Sequence, residues 1–345
     1  MASASPHDPS YSEITARLFE LATGYMPAAC LHAVARLRIA DLLSSGPASV
    51  TELARRAGGV KEDALHRMLR ALASVGVFAE IEPRVFVNTP SSELLSAEVR
   101  GSVRDIALWL ANPLHLRVFA ETLHAGETGA PAIQKVTGHD AFDYFRHNPA
   151  ESEIFNAAMT GFSAQYTPSV LEAYDFSGAG TLADIGGGHG YLLTAILRKH
   201  YGLRGILCDM PHVAAGAKAH IESYGLESRC TIAAGNFFEG VPAADTYVMK
   251  SIVHDWDDAH AVTILKNCAA AMCRPHGKVI LLELVLHPGN EPDMGKWIDL
   301  EMLLMSGGRE RTEAEFAALL AQAGLRLARV VRTRSPMCVI ESVKE

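Results

Sequence analysis

A short stretch around residue 186 constrains the fold of this chain more than any other. Residues 182–192 read LADIGGGHGYL, in which an apolar run ends in glycines and a second apolar run has helical spacing. That order predicts a buried strand, a tight turn and the start of a helix. A turn that passes close to a ligand needs glycine, which lacks a Cβ atom. The unpaired N–H groups of the following helix suit a carboxylate or a phosphate.

The second half of the chain alternates predicted strands and helices. The predicted strands cover 182–185, 205–208, 230–233, 246–249 and 279–286, and an antiparallel pair follows at 327–331 and 338–342. Alternation of this kind is typical of a parallel, doubly wound sheet. Ligands of such sheets bind outside the carboxyl ends of the strands, so we expect the functional site there.

The glycine spacing separates two classes of cofactor. Turns that bind dinucleotides space their glycines as G-x-G-x-x-G. Here Gly186, Gly188 and Gly190 give G-x-G-x-G, and Asp184 stands two residues before them. This pattern resembles the first motif of methyltransferases that use S-adenosylmethionine (SAM). The alternative is an ordinary glycine-rich turn.

Two further segments are candidates for cofactor contacts. Asp209 ends the second predicted strand, where an acid can accept hydrogen bonds from both ribose hydroxyls. Its alternative role is that of an acid at a helix N-terminus, since Pro211 starts a predicted helix. Phe237 is a candidate for packing on an adenine face, with Asn236 as a hydrogen-bond partner, but a core position suits Phe237 equally well.

His254 follows the fourth predicted strand and is a candidate general base, because the pKa of imidazole is about 6.5. Glu283 lies inside an apolar strand, where a charge is costly without a partner. Glu310 precedes a predicted helix. A carboxylate on the far ring nitrogen would fix the tautomer and stabilise imidazolium. The alternative for Glu283 is a salt bridge with Arg309 or Arg311.

The first half of the chain reads as helical. Residues 1–10 predict a flexible N-terminus, and residues 51–88 follow the order helix, turn, helix and hairpin of a winged helix. Winged helices often bind DNA. Six basic and five acidic side chains in 51–88 leave a formal charge of only +1, so we favour a dimerisation module over residues 11–100.

The sequence of residues 101–170 predicts a mostly helical region. We place the domain boundary around residue 170, so that the cofactor-binding domain covers 171–345. Phe155, Met159 and Phe162 share one helix face at i, i+4 and i+7. Core packing explains such a face in most proteins. The alternative is the wall of a ligand pocket, because Met and Phe adapt to planar ligands.

Charge, hydropathy and cysteine usage argue against several classes of protein. The net charge of −8 argues against a general affinity for nucleic acid or acidic membranes. The longest apolar run, 279–286, is too short to span a bilayer, and the N-terminus lacks an apolar signal core. Six scattered cysteines without a C-x-x-C pair predict neither a zinc cluster nor a disulfide framework. We therefore expect a cytoplasmic protein.

Six segments occur together in one order: 184–190, 209–211, 235–238, 254–256, Glu283 and 307–312. Their combination resembles the plant-type (caffeate-like) and bacterial small-molecule O-methyltransferases, over nearly the whole chain. The His-Asp-Trp and Gly-Gly-x-Glu-Arg-Thr motifs are far more specific than the glycine turn. One position departs from the pattern, since similar proteins usually carry an acid where Asn236 stands.

The resemblance implies a class I methyltransferase, Rossmann-like α/β sheet in the C-terminal part and an all-α winged-helix dimerisation domain in the N-terminal part. It implies a homodimer that transfers a methyl group from SAM to a hydroxyl of an aromatic small molecule without a metal, leaving S-adenosylhomocysteine. The base would be His254, flanked by Glu283 and Glu310. The cofactor contacts would be Asp184, Gly186, Gly188, Gly190, Asp209, Asn236, Phe237 and Lys250. The acceptor contacts would be Phe155, Met159, Phe162, Trp256, Asp299 and Met302, with the partner chain near Tyr25 or Met26.

Three alternative functions are open at this point. A relative that uses SAM for decarboxylation or hydroxylation shares the glycine turn, but it has no need of a base at His254. A DNA-binding regulator needs a basic face, and a nicotinamide oxidoreductase needs the other glycine spacing.

Overall fold

The computed structural model describes residues 10–275 and 277–344, without the side chain of His212. The predicted flexible N-terminus lies outside the described residues except for Ser10, which caps the first helix. The hydroxyl of Ser10 accepts from the N–H of Glu13, and the Glu13 carboxylate accepts from the N–H of Ser10. This reciprocal pair is a capping box.

The chain divides into two compact units, one ending at Leu116 and the other beginning at Arg117. The predicted boundary near residue 170 therefore falls inside the second unit. The elements of the first unit are α1 (Tyr11–Thr23), α2 (Tyr25–Arg36), α3 (Ile39–Leu42), β1 (Ala48–Ser49), α4 (Val50–Arg56), α5 (Glu62–Ser74), β2 (Phe78–Glu82), β3 (Val85–Asn88), α6 (Pro90–Glu93) and α7 (Arg104–Leu110).

The core of the first unit forms around α5, which buries Leu65, Leu69 and Leu72 at helical spacing. The hairpin of β2 and β3 is the predicted wing, and β1 adds a third antiparallel strand to it. Helix α1 differs from the others because it buries none of its residues within this chain. Its large apolar side chains are exposed, Leu18 by 62% and Phe19 by 68%.

The remaining helices are α8 (Pro113–Ala120), α9 (Thr122–Thr128), α10 (Ala132–Thr137), α11 (Ala141–His147), α12 (Pro149–Ala173), α13 (Tyr191–Lys199), α14 (Pro211–Ser223), α15 (Asp258–Ala271), α16 (Met294–Met305) and α17 (Glu313–Gln322). The remaining strands are β4 (Thr181–Ile185), β5 (Arg204–Asp209), β6 (Cys230–Ala234), β7 (Thr246–Lys250), β8 (Lys278–Glu283), β9 (Val285–Leu286), β10 (Arg311–Thr312), β11 (Leu325–Arg332) and β12 (Cys338–Lys344). No helix in the described part of the chain is long and apolar enough to cross a membrane.

The second unit is built on a seven-stranded sheet with the order β11-β12-β8-β7-β4-β5-β6. The five strands from β8 to β6 in that order are parallel, and β11 and β12 are antiparallel. One apolar cluster packs α15 and α17 against the sheet, and a second packs α13 and α14. The predicted doubly wound α/β sheet is confirmed.

This topology sets the position of the functional site. The strand order reverses between β4 and β7, and a crevice forms at such a point outside the carboxyl ends of the strands. Strand β5 ends in Asp209, β7 in Lys250 and β8 in Glu283. The candidate polar residues therefore meet at one edge of the sheet.

Candidate active site

The glycine turn after β4 needs its glycines for backbone conformation. Gly186, Gly188 and Gly190 have φ angles of 69°, 57° and 82°, in the left-handed region that side chains disfavour. A Cβ built on Gly188 meets no atom within 4 Å, so this part of the turn faces open space. The predicted turn is present, and at Gly188 it leaves room for an approaching group.

Gly187 is needed for a different reason, which its spacing in the sequence did not reveal. A Cβ on Gly187 would overlap the Leu207 side chain and lie 2.9 Å from Oδ2 of Asp184. The turn therefore packs directly on the acid that precedes it. This contact depends on the neighbouring strand, β5, and no local sequence signal reports it.

Two acids flank the turn. Oδ2 of Asp209 accepts a 2.8 Å hydrogen bond from the N–H of Gly188, and its Oδ1 accepts from the N–H of Met210. Asp184 is buried, and burial raises the pKa of its carboxyl to about 7 against the opposing effect of the Lys250 ammonium. Oδ2 of Asp184 has no hydrogen-bond partner among the described residues. Burial in turn lowers the pKa of Lys250.

The loop after β6 carries Asn236 and Phe237. Oδ1 of Asn236 accepts from the N–H of Phe238, and its Nδ2 donates to Glu239, so both polar groups bond within their own turn. Phe237 is half-buried and packs edge-on against Trp256, with ring centroids 6.1 Å apart. The structure thus places Phe237 beside the His-Asp-Trp segment.

His254 lies in a single 3₁₀ turn, Val253–Asp255, that follows β7. Its Nδ1 is 2.7 Å from Oε1 of Glu310 and 3.7 Å from Oε2 of Glu283, and both carboxylates are fully buried. Its Nε2 lies 3.7 Å from Oδ1 of Asp255. The structure therefore brings together the three predicted catalytic residues, and Asp255 joins them from the other side of the ring.

The charges of this cluster determine where protons reside. Burial alone lowers the pKa of His254, but the carboxylates of Glu310, Glu283 and Asp255 outweigh burial and raise that pKa to about 10. Burial raises the pKa of Asp255 to about 6, against the effect of the imidazolium. Burial also raises the pKa of Glu283 to about 7. The three carboxylates therefore stabilise the imidazolium form of His254, and the ring must release its Nε2 proton before it can accept another.

Glu283 also shapes the loop that carries His254. Its Oε1 accepts from the N–H groups of Ile252 and Val253, at 3.1 and 2.9 Å. Ser251 stands just before them with a φ of 54°, an uncommon value for a residue other than glycine. The expected alternative, a salt bridge of Glu283 with Arg309 or Arg311, is not formed, because Arg311 pairs with Asp258.

Arg311 is a second support of the loop. Its guanidinium is buried and donates to the carbonyl oxygens of Val253 (3.1 Å) and Trp256 (2.9 Å), on either side of His254, and to the Asp258 carboxylate (2.7 Å). The sequence indicated Arg311 only as an alternative partner of Glu283. Its actual partners are the Asp258 carboxylate and backbone carbonyl oxygens, and a sequence pattern does not identify backbone partners.

The segment 307–312 lies directly against this loop. The N–H of Arg309 donates to the carbonyl oxygen of His254 at 2.8 Å. A Cβ on Gly308 would overlap that same oxygen, so only glycine fits. The Gly-Gly-x-Glu-Arg-Thr motif thus contacts the loop of His254 in three ways. Gly308 lets the two backbones approach closely, the Glu310 carboxylate pairs with the imidazole, and the Arg311 guanidinium bonds to the loop backbone.

The predicted acceptor residues fall into three groups. Trp256 stacks on Phe142 of α11 at 5.7 Å, and Phe155 stacks on Phe145 of the same helix at 4.8 Å. Met159 and Phe162 are half-buried on α12, which packs on α13 after the glycine turn. On α16, Met302 is half-buried, and Oδ1 of Asp299 accepts from the N–H of Glu310 at 2.9 Å, so Asp299 supports the backbone that carries Glu310.

The cluster of His254, Glu283 and Glu310 favours acid–base chemistry over metal binding. One ligand atom from each lies within 4.8 Å of the others, a spacing that a metal ion could use. Nδ1 of His254, the ring nitrogen nearest both glutamates, already pairs with Oε1 of Glu310 at 2.7 Å, and a metal ion there would have to break that pair. The arrangement suits a proton acceptor whose far nitrogen is fixed by a carboxylate.

Comparison with known protein families gives two matches that together cover most of the chain. The O-methyltransferase domain matches residues 119–326, and the O-methyltransferase dimerisation domain matches residues 19–98.

Individual relatives are similar over nearly their whole length. A phenazine O-methyltransferase of Lysobacter antibioticus is 42% identical over 94% of this chain and 95% of its own. A mitomycin biosynthesis 6-O-methyltransferase of Streptomyces lavendulae is 37% identical over 90% and 88%. The structure of an O-methyltransferase from neocarzinostatin biosynthesis, in complex with S-adenosyl-L-homocysteine and 1,4-dihydroxy-2-naphthoic acid, superimposes with a TM-score of 0.80 at 32% identity, over 95% and 98%.

Proposed function

The chain belongs to the O-methyltransferase family and uses SAM as methyl donor, and from this premise we propose that its acceptor is a phenolic hydroxyl of an aromatic small molecule. The observation that carries the proposal is the His254–Glu310 pair, two residues before Trp256, whose ring stacks on Phe142. Flat rings pack well on such side chains. The relatives that act on phenazine or bind a naphthoic acid support the same class of acceptor.

In the proposed reaction the neutral form of His254, with its only ring proton on Nδ1, removes the proton of the phenol. The pKa of a phenol is about 10, so the hydroxyl is a weak nucleophile at neutral pH. When bound, SAM supplies a methyl group on a positively charged sulfur, and the acceptor oxygen bonds to that carbon as the carbon–sulfur bond breaks. Glu310 holds Nδ1 and leaves Nε2 to receive the proton. Glu283 and Asp255 stabilise the resulting imidazolium.

We propose that SAM binds along the glycine turn. The open space at Gly188 and the unpartnered Oδ2 of Asp184 fit a donor with an ammonium group. Asp209, at the carboxyl end of β5, accepts from the N–H groups of Gly188 and Met210 beside the turn, and a carboxylate in that place suits ribose hydroxyls. Phe237 and Lys250 stay candidate contacts. Asn236 stays a weaker one, because its amide bonds within its own turn.

A screen of paired acceptors with labelled SAM tests the proposed function. Each pair shares one aromatic ring and differs only in a hydroxyl or an amino substituent. We expect the label on the oxygen of the hydroxyl compounds and little transfer to the amines. Transfer to nitrogen alone would overturn the phenol assignment. The amino compounds are included because one relative is an 8-amino-8-demethylriboflavin N,N-dimethyltransferase.

The titration of His254 follows from the charges around it. Because the Glu310 carboxylate raises the pKa of His254, Glu310→Gln is expected to lower the titration midpoint of the ligand-free imidazole from about 10. The ring then loses its proton at a lower pH than in the wild type. Nuclear magnetic resonance of the labelled imidazole measures this directly. Asp257→Asn, a charge removed from an exposed helix cap, serves as the control and should leave the midpoint unchanged. A wild-type midpoint near 6.5 would contradict the prediction.

The chain carries a dimerisation domain, and we propose that two copies associate through α1 and the start of α2. Leu18, Phe19, Tyr25 and Met26 are all at least half exposed, which is unusual for a patch of large apolar side chains. In the dimer, Tyr25 and Met26 are the candidates for reaching the partner's pocket.

The six free cysteines agree with a reducing cytoplasm as the proposed location.

Phe19→Glu is expected to convert the dimer into a monomer of 37.1 kDa, because it places a charge in the proposed interface. Light scattering during gel filtration measures the mass. Arg17→Gln on the same exposed helix is the matched control and should remain dimeric. A dimer that survives Phe19→Glu at micromolar concentration would exclude α1 as the interface.

A further inference from the structure

A cluster of metal-ligand side chains lies on α11 and the residues just before it, outside the proposed active site. Asp143 and His147 lie four residues apart on one face of the helix, and His139, which precedes the N-cap residue Asp140, contacts Asp143 on that face. One ligand atom from each lies within 4.8 Å of the others. Among the residues that the structure describes, the other group with this property is His254, Glu283 and Glu310.

The cluster is already drawn together around the Asp143 carboxylate. Nδ1 of His139 lies 2.7 Å from Oδ2 of Asp143, and Nδ1 of His147 lies 3.7 Å from Oδ1. The two imidazole rings have centroids 5.4 Å apart. Arg146 contacts Oδ1 of Asp143 at 3.0 Å and leaves Oδ2 to the His139 side.

The backbone fixes the first and the last of the three residues. The hydroxyl of Thr137 donates to the carbonyl oxygen of His139 and accepts from its N–H. Nδ1 of His147 lies 2.9 Å from the carbonyl oxygen of Asp143.

We propose that His139, Asp143 and His147 bind one transition-metal ion of the class of Zn²⁺, Ni²⁺ or Cu²⁺. Imidazole nitrogens favour these ions, whereas Mg²⁺ and Ca²⁺ prefer oxygen ligands. Water completes the coordination, because the two histidine side chains are about half exposed. The site is distinct from the proposed reaction centre, and the methyl transfer does not require it.

The consequence of binding is a stiffer α11. Phe142 and Phe145, which stack on Trp256 and Phe155, lie on the remaining face of the same helix. An ion that links residues 139 and 147 spans the helix from end to end. Amide hydrogen exchange within 141–147 therefore slows when the ion binds.

Calorimetric titration of the full chain with ZnCl₂ tests the proposal. We expect one ion per chain, reversed by a chelator and lost as the pH falls below the imidazole range. The double variant His139→Ala/His147→Ala should weaken binding by at least about 100-fold, beyond the 10–100-fold typical for the loss of an outer-shell partner. The double variant should also abolish the zinc-dependent slowing of exchange in 141–147.

His260→Ala is the matched control, because the exposed pair of His260 and Asp257 offers one imidazole only. This variant should bind Zn²⁺ as the wild type does. The absence of binding to the wild type overturns the proposal. Binding that persists in the double variant and abolishes turnover also overturns it, since the ion then belongs to the His254 cluster.

Discussion

His254→Ala is expected to lower kcat by roughly 10²–10⁴-fold, the usual contribution of a general base, while SAM binding is nearly unchanged. The variant removes the imidazole whose Nδ1 is held by Glu310 and leaves the glycine turn intact. Without it, the phenol must lose its proton to water. Single-turnover kinetics give the rate of methyl transfer, and calorimetry gives the affinity for SAM.

The acidity of the acceptor provides an internal check on His254→Ala. A phenol bearing electron-withdrawing groups is ionised at neutral pH and needs no base, so the defect should shrink as the pKa of the acceptor falls. His287→Ala removes another histidine that pairs with an acid and should leave the rate unchanged. Near-full O-methylation of an ordinary phenol by His254→Ala would refute the base assignment.

Arg311→Met is expected to have the second largest effect, on both stability and turnover. It removes the donors to the carbonyl oxygens of Val253 and Trp256 and leaves the Asp258 carboxylate without its partner. Leaving these two carbonyl oxygens without a donor costs about 1–3 kcal/mol each, whereas water solvates the half-exposed Asp258 carboxylate. A loss of about 3 kcal/mol lowers the melting temperature by roughly 6–12 °C in a unit of this size.

Turnover should fall as well as stability, because Arg311 holds the backbone of the loop that carries His254. Measured well below the melting temperature, kcat for Arg311→Met is expected to drop about tenfold or more, as misplacement of a reacting group does. Arg309→Met changes the same side chain two residues away at an exposed position and serves as the control. Equal melting temperatures and rates for the two variants would show that Arg311 has no positioning role.

Much of the fold could be predicted because its signals are local. The glycine turn, the alternation of strands and helices and the acids at strand ends all lie within short windows of sequence. They place Asp184, Asp209 and Lys250 at one edge of the sheet, where the structure also has them. The cluster of His254 with Glu283 and Glu310 followed from motif resemblance combined with the cost of a buried charge.

The parts that could not be predicted depend on contacts between distant segments. The need for Gly187 arises from Leu207 on the next strand, and the need for Gly308 arises from the carbonyl oxygen of His254. Arg311 bonds to backbone groups, which every residue carries. The role of the helices between 117 and 173 could not be predicted either. The apolar face of Phe155, Met159 and Phe162 is equally compatible with core packing and with the wall of a pocket.

The hydrogen bond between His254 and Glu310 joins residues that are 56 positions apart. Glu283 reaches the same turn from the end of β8, which pairs with β7 in parallel. Parallel pairing across long connections is slow to form. After dilution from denaturant, recovery of enzymatic activity should therefore lag behind the return of helical circular dichroism.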